Sequence, residues 1–136
     1  MNNKSNGTAF EKEFAELLSE HGFWVHRMQD NVNGQPFDVI AAKNNDTMIF
    51  DCKDCRSNIF YLRRIEENQR NAMKLWEECG NPEGVFAVRY PDGGVFLFPI
   101  SEIDKALSDG MRYIDREHAK YYGAPLNTWL ERIDQL

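Results

Sequence analysis

Hydrophobic residues recur every three or four positions between residues 8 and 21 of the chain. Most of the positions between them hold Glu or Lys, so the pattern predicts an amphipathic helix. Thr8 and Glu11 have the spacing of a capping box at its start, and Gly22 is the residue type expected just after its end. A capping role is therefore one interpretation of Glu11. The apolar positions are Phe10, Phe14, Leu17 and Leu18.

Three short apolar segments, rich in aromatic and β-branched residues, follow this helix. A polar loop, 29–35, separates the first two segments, and the turn 43–46 separates the second from the third. Connections this short favour neighbouring antiparallel strands, so we expect a three-stranded meander. The predicted strands are 23–28, 37–42 and 47–53.

The second half of the chain mixes helical and extended patterns. Its predicted elements are a short apolar segment at 59–62, a helix over 65–79, strands over 85–90 and 95–98 joined by a hairpin turn, a helix capped by Ser101 that runs through Leu107, and a helix over 127–135. The full order, α-β-β-β-α-β-β-α, predicts one α/β domain over residues 1–136 with a mixed β-sheet flanked by helices. Residues 109–136 are poorly patterned before the last helix, and we interpret them as a C-terminal extension of unknown role.

The bulk composition is that of an ordinary globular protein, with 42% hydrophobic and 28% charged residues. No apolar run is long enough to cross a membrane, and residues 1–6 lack the apolar core of a signal peptide, so we expect a cytoplasmic protein. The formal net charge of -6 argues against an indiscriminate nucleic-acid coat. It is compatible with an enzyme that gathers metal-binding carboxylates, since the cation neutralises them.

The three cysteines include the pair Cys52-x-x-Cys55. A zinc site would need two further ligands, and Cys79 and the histidines lack the spacing of a zinc knuckle. We therefore expect reduced cysteines with Cys52 in the core, and zinc binding is the minor alternative.

Charged residues at the ends of two predicted strands are candidates for a metal site. Asp38 lies in an apolar segment where nothing local requires a charge, and Asp51 and Lys53 end another apolar run. Residues two apart in a strand share a face, so Asp51 and Lys53 project side by side while Cys52 faces the core. Two carboxylates that bind a hard divalent cation, with an ammonium beside them, suit phosphodiester hydrolysis. Each carboxylate alone is weak evidence, because Asp is also a common turn former.

The order of these residues resembles the PD-(D/E)xK nuclease superfamily. The motifs that carry the resemblance are Gly7-x-x-x-Glu11, Gly22-Phe23, Pro36-x-Asp38, Asp51-x-Lys53 and the helical Ile65-x-x-x-Gln69. Within the superfamily the pattern is most similar to Holliday-junction resolvases, both the archaeal type and the RecU type of Gram-positive bacteria and their phages. The resemblance covers roughly residues 4–107 and implies a restriction-endonuclease-like core.

The resemblance also implies a role for each matching residue. The implied ligands of Mg²⁺, or of Mn²⁺ in its place, are Glu11 (directly or through water), Asp38, Asp51 and the backbone carbonyl of Cys52. Lys53 would orient or activate the attacking water, and Gln69 would steady the site or contact the phosphate. Asp51 departs from the commoner Glu, which shortens the reach to the metal.

Basic residues crowd the segment that follows Lys53. We expect them to contact DNA phosphates without reading bases, which makes binding salt-sensitive. A solvated helix face is the competing explanation. These residues are Arg56, Arg63, Arg64, Arg70 and Lys74.

Together these features predict a metal-dependent, structure-selective DNA endonuclease, a Holliday-junction resolvase that makes paired nicks as a homodimer. Its partner would be branched four-way DNA, in a bacterial cell or a phage-infected host. A restriction-like or repair nuclease on other DNA structures, and a catalytically idle DNA-binding module of the same fold, are the alternatives. The long projecting stalk of RecU-type enzymes has no counterpart in the chain, unless the loop 29–35 serves.

Overall fold

A six-stranded mixed β-sheet forms the centre of the computed structural model, with helices packed on both of its faces. The structure describes residues 3–29 and 35–135, with the side chains of residues 3–6 excepted. Most of the predicted loop 29–35, including any stalk in it, lies outside the described residues. No helix in the described part of the chain is long and apolar enough to cross a lipid bilayer.

The described residues form five α-helices and eight strands. In chain order they are α1 (Asn3–Glu20), β1 (Trp24–Arg27), β2 (Val39–Lys43), β3 (Asp46–Asp54), β4 (Ile59–Tyr61), a 3-10 turn (Leu62–Arg64), α2 (Glu67–Glu78), β5 (Val85–Arg89), β6 (Val95–Pro99), α3 (Ile100–Ser108), β7 (Tyr113–Asp115), α4 (Ala119–Tyr122), β8 (Ala124–Pro125) and α5 (Leu126–Asp134).

The strand order in the central sheet is β1-β2-β3-β5-β6-β8. Strands β3 and β5 are parallel because the crossover through α2 returns the chain to the same end, and the other neighbours are antiparallel. Asn44 and Asn45 both have positive φ, 54° and 70°, which suits a tight two-residue hairpin between β2 and β3. The predicted α/β class with a mixed sheet is confirmed, as are the β1–β3 meander and the β5–β6 hairpin.

Each face of the sheet has its own hydrophobic core. Helices α1 and α5 cover one face, where Phe14 packs edge-on against Phe50 with ring centroids 5.0 Å apart. Helices α2, α3 and α4 cover the other face, around Phe98 and Ile103. Strand β3 is therefore buried from both sides, and the side chains that alternate along it enter both cores.

Two predicted helix caps are wrong. Helix α1 begins at Asn3, so Thr8 lies inside the helix and forms no capping box with Glu11. The first turn is polar, and hydrophobic periodicity therefore could not reveal it. Helix α3 begins at Ile100 rather than after a Ser101 cap. The Ser101 N–H instead donates to Glu83 Oε1 at 2.9 Å, a partner distant in sequence.

The segment 109–136 carries two short strands that the sequence pattern did not indicate. Strand β8 extends the central sheet at β6, and β7 pairs with β4 in a separate two-stranded sheet. These strands have only two and three residues, which is too short to show a period of two.

Gly123 allows β8 to lie against the sheet. A Cβ atom at this position would stand 2.7 Å from two ring carbons of Phe98 and 2.9 Å from the Leu97 carbonyl oxygen. Because Phe98 is fully buried and the oxygen belongs to the backbone, we expect Gly123→Ala to lower the free energy of unfolding by about 1–3 kcal/mol. Urea denaturation measures this change.

Gly7→Ala is the matched control for that substitution. Gly7 lies inside α1, and a Cβ atom added there would have no neighbouring atom within 4 Å, so alanine should stabilise by about 0.5–1 kcal/mol. Equal stability of Gly123→Ala and the parent protein would contradict the close approach.

Candidate active site

Asp51 and Lys53 lie side by side near the end of β3. The Lys53 ammonium is 3.0 Å from Asp51 Oδ2, and only 1% of the Asp51 residue surface is exposed. Their common face follows from strand alternation, which places Cys52 in the opposite core beside α1. The predicted orientations of Asp51, Lys53 and Cys52 are therefore confirmed.

Asp38 stands immediately before β2 and is fastened to β3. Its backbone N–H donates to the Phe50 carbonyl at 2.9 Å, and its Oδ2 accepts from the Cys52 N–H at 2.7 Å. The Gln35 side-chain amide donates to Oδ1 at 2.8 Å. These bonds hold the Asp38 carboxylate beside Asp51, whose pKa it affects. Gln35 was missed from sequence, because a loop glutamine carries no signal of its own.

Gln69 links helix α2 to both charged residues of β3. Its amide nitrogen donates to Asp51 Oδ1 at 3.0 Å, and its oxygen accepts from Lys53 Nζ at 3.3 Å. The same oxygen accepts from the Glu66 N–H at 3.0 Å, as part of a capping box at the start of α2. The capping box fixes the amide in place, so Gln69 lies in the site as a positioned group.

Glu11 approaches the same region from α1. Its charge contributes, after burial and after Asp38 and Asp51, to raising the pKa of the Cys52 thiol. Arg27, on β1, lies 3.7 Å from Glu11 Oε2, a partner that sequence alone did not indicate. The ligand oxygens of Glu11, Asp38 and Asp51 do not all lie within 4.8 Å of one another, since among the described residues only Asp115, Glu117 and His118 meet that criterion.

Burial dominates the electrostatics of Asp51. Loss of hydration raises the pKa of its carboxyl from 3.8 to about 8, Lys53 opposes that shift, and the negative charge of Asp38 adds to it. Oδ2 meets Lys53 as an ion pair but accepts no aligned hydrogen bond. A buried carboxylate oxygen in this state, next to a second carboxylate, fits a hard divalent cation such as Mg²⁺.

The five predicted DNA-binding residues are spread over several surroundings. Arg64 donates to the Asp54 carbonyl and the Cys55 sulfur, and Arg70 pairs with Asp104. Arg63 lies over the Tyr61 ring. Lys74 lines a separate groove that also holds carboxylates of α2 and α3, and Arg56 is exposed. Their contact with DNA stays a prediction.

The two cysteines of the Cys52-x-x-Cys55 pair lie in different hydrophobic cores, Cys52 beside α1 and Cys55 on the other face of the sheet. They are therefore not arranged as two ligands of one zinc ion. Cys52 is in the core, as predicted.

Comparison with known proteins identifies relatives over nearly the whole chain. The family model of the archaeal Holliday junction resolvase (Hjc) matches residues 2–135. The crossover junction endodeoxyribonuclease Hjc of Methanocaldococcus jannaschii is 33% identical over 116 residues, which cover 84% of this chain and 78% of that protein. The match extends past residue 107, where the motif resemblance ended.

The fold is also similar to a solved structure. Hjc of Archaeoglobus fulgidus, a Holliday junction resolvase from an archaeal hyperthermophile, superimposes with a TM-score of 0.68 at 18% identity and covers 93% of this chain and 96% of that one. Both relatives are archaeal, so the bacterial or phage setting expected from the RecU-like features has no support from them. The cytoplasmic location stays a prediction.

The raised pKa of Asp51 predicts a pH-dependent stability of the metal-free protein. The folded state holds the proton up to a pH of about 8, whereas the unfolded chain releases it near 3.8, so unfolding releases a proton between these values. Stability from this group is thus greatest below pH 4 and falls as the pH rises toward 8. We expect Asp51→Asn to gain stability relative to the parent over that range.

Urea unfolding of both proteins in a chelator, at a series of pH values, tests this dependence. Two stability curves that stay parallel would show that Asp51 titrates normally in the folded state.

Proposed function

The chain belongs to the archaeal Holliday junction resolvase family, and we propose that it cuts four-way DNA junctions with the site formed by Asp38, Asp51, Lys53 and Gln69. Family membership confirms the predicted resolvase-type nuclease and its reaction class, the endonucleolytic hydrolysis of phosphodiester bonds. The observation that carries the site assignment is the buried Asp51 carboxylate, which has an oxygen without an aligned donor and a second carboxylate beside it.

Resolvases of this family are metal-dependent, and the residues present suit Mg²⁺, with Mn²⁺ as a substitute. Asp38 and Asp51 would hold the ion together with the Cys52 carbonyl, and Glu11 would act through water because the three carboxylates do not all lie close together. When bound, the ion supplies positive charge that stabilises the phosphoryl oxygens and lowers the pKa of water.

Lys53 contributes a compact positive charge to the reacting phosphate. Two of its contacts are to Asp51 and Gln69, which hold the ammonium in place, and an ammonium has three donors. The third donor would orient the attacking water or stabilise the developing negative charge of the phosphate. Arginine is no equivalent, because its planar fork would not fit between these two partners.

Gln69 and Asp38 act as positioning groups. Gln69 fixes Asp51 and Lys53 relative to each other through its two ends, and its own amide is held by the start of α2. The Asp38 carboxylate keeps its direction through the Cys52 N–H and Gln35. A site held this firmly before DNA arrives loses little order on binding.

We also propose that the active form is a homodimer. Resolution of a four-way junction requires two nicks in strands of the same polarity, and a two-fold axis provides two equivalent sites for them. The arginines and the lysine after Lys53 would contact the phosphates of the junction arms.

Removal of the charged site residues should separate cleavage from binding. We expect Asp51→Asn and Lys53→Met each to slow junction cleavage roughly 100-fold or more, because each removes an electrostatic contribution to the transition state. Junction affinity, measured by gel shift without metal, should persist, since neither change removes the arginines. Asp46→Asn, at the exposed start of β3, is the control and should cleave normally. Full activity of Asp51→Asn would refute the site.

Mixed dimers test the paired nicks. Parent protein mixed with Asp51→Asn should form dimers with one working site, and these should nick a cruciform plasmid once. We therefore expect open circles to accumulate at the expense of linear product, as followed by agarose electrophoresis. Mixtures with Asp46→Asn should give linear product as the parent does. A monomer in light scattering, or no increase in open circles, would contradict the dimer.

A further inference from the structure

A groove of about 700 Å³ lies beside the small β4–β7 sheet, away from the carboxylates of the active site. Its walls come from the small sheet, from the ends of α2 and α3, and from the turns next to β4 and β7. We name it the tyrosine groove. The side chains that matter are Tyr61, Arg63, Arg70, Leu107, Arg112 and Tyr113.

Aromatic surface in this groove faces solvent. Tyr61 and Tyr113 are directly paired across β4 and β7, and their rings meet at 66° with centroids 6.2 Å apart. They are 36% and 41% exposed, and Leu107 is 44% exposed. A cluster of exposed rings with an apolar side wall is unusual on a surface that nothing covers, and it suits a flat ligand.

The groove is also positively charged, although the whole chain carries a net charge of -6. The Arg63 guanidinium lies 4.5 Å from the Tyr61 ring centroid. In the part of the chain that the structure describes, neither Arg63 nor Arg112 has a carboxylate partner, whereas Arg70 is paired with Asp104. Two unpaired guanidinium groups around exposed rings favour an anionic ligand with an aromatic part.

Helix α2 connects the tyrosine groove to the active site. Gln69 points from its first turn to Asp51, and the next residue, Arg70, lines the groove. A DNA strand that leaves the active site along this turn therefore reaches the groove.

We propose that the tyrosine groove binds an unpaired nucleotide of DNA, with the base on Tyr61 and Tyr113 and the phosphates at Arg63 and Arg112. Aromatic rings bind bases of any sequence by stacking, and arginines supply phosphate contacts and stacking planes. A second copy of the chain is disfavoured, because a two-fold contact through this groove would bury like charges without partners. The inference rests on the proposed function only in taking DNA as the ligand.

Fluorescence anisotropy with labelled oligo-dT tests the groove in the full-length protein. We expect Tyr61→Ala and Tyr113→Ala to weaken binding roughly 5- to 150-fold, the effect of losing one stacked base. Tyr61→Phe should bind as the parent does, since stacking does not use the hydroxyl. Tyr121→Ala, an equally exposed tyrosine on another surface, is the control and should change nothing.

An abasic oligonucleotide of the same length separates base from phosphate contacts. The tyrosine variants should bind it as the parent does, while Arg112→Gln should weaken binding of both oligonucleotides and reduce the salt dependence. Equal loss on both oligonucleotides in Tyr61→Ala would overturn the stacking role.

Two further outcomes would overturn the inference, and both are distinguishable from failure of the proposed function. If the parent cleaves junctions but does not bind oligo-dT, the groove is not a nucleotide site and the resolvase assignment stands. If Tyr61→Ala dissociates a dimer in light scattering, the groove is a subunit interface. Loss of junction cleavage in the parent protein would instead count against the resolvase function.

Discussion

Burial of β3 from both faces is the constraint on which the active site depends. Ile49 and Phe50 point to opposite cores, and both are fully buried. Asp51 follows on the Ile49 face and is withdrawn from water by the same two layers. The free-energy cost of burying a charge is several kcal/mol unless it is paired, so the surroundings of Asp51 must compensate for it. Lys53, Gln69 and a bound cation are the groups placed to do so.

A second network holds the end of β3 against its neighbours. Arg89, at the end of β5, donates to both carboxylate oxygens of Asp54 at 2.9 and 3.1 Å, and to Glu13 on α1. Hydrogen bonding to Asp54 is the main cause that raises the pKa of Arg89. The strand end, the parallel neighbour and the first helix are thus connected just beyond Lys53, which limits how far the catalytic groups can shift during the reaction.

The strong periodicities predicted the framework well. Helix α2, the meander and the β5–β6 hairpin all had patterns of several residues, and Asp38, Asp51, Lys53 and Gln69 came from their positions on those elements. Contacts between distant parts of the chain had no such pattern. The Asp38 bond to the Cys52 N–H, the Arg27–Glu11 pair and the Ser101 N–H bond to Glu83 depend on the tertiary packing. The cap errors at Thr8 and Ser101 have the same origin, because local spacing was taken for a contact.

Gln69 combines two duties that restrict its replacement differently. As the third residue of α2 in a capping box, it needs only an acceptor for the Glu66 N–H, and Glu serves that purpose as well as Gln. Beside the buried Asp51, however, a third carboxylate would repel the first two, and only an amide can donate to Asp51 while accepting from Lys53. The helix start alone would tolerate a charge exchange that the catalytic centre forbids, so folding and chemistry together leave this position far less freedom than either does separately.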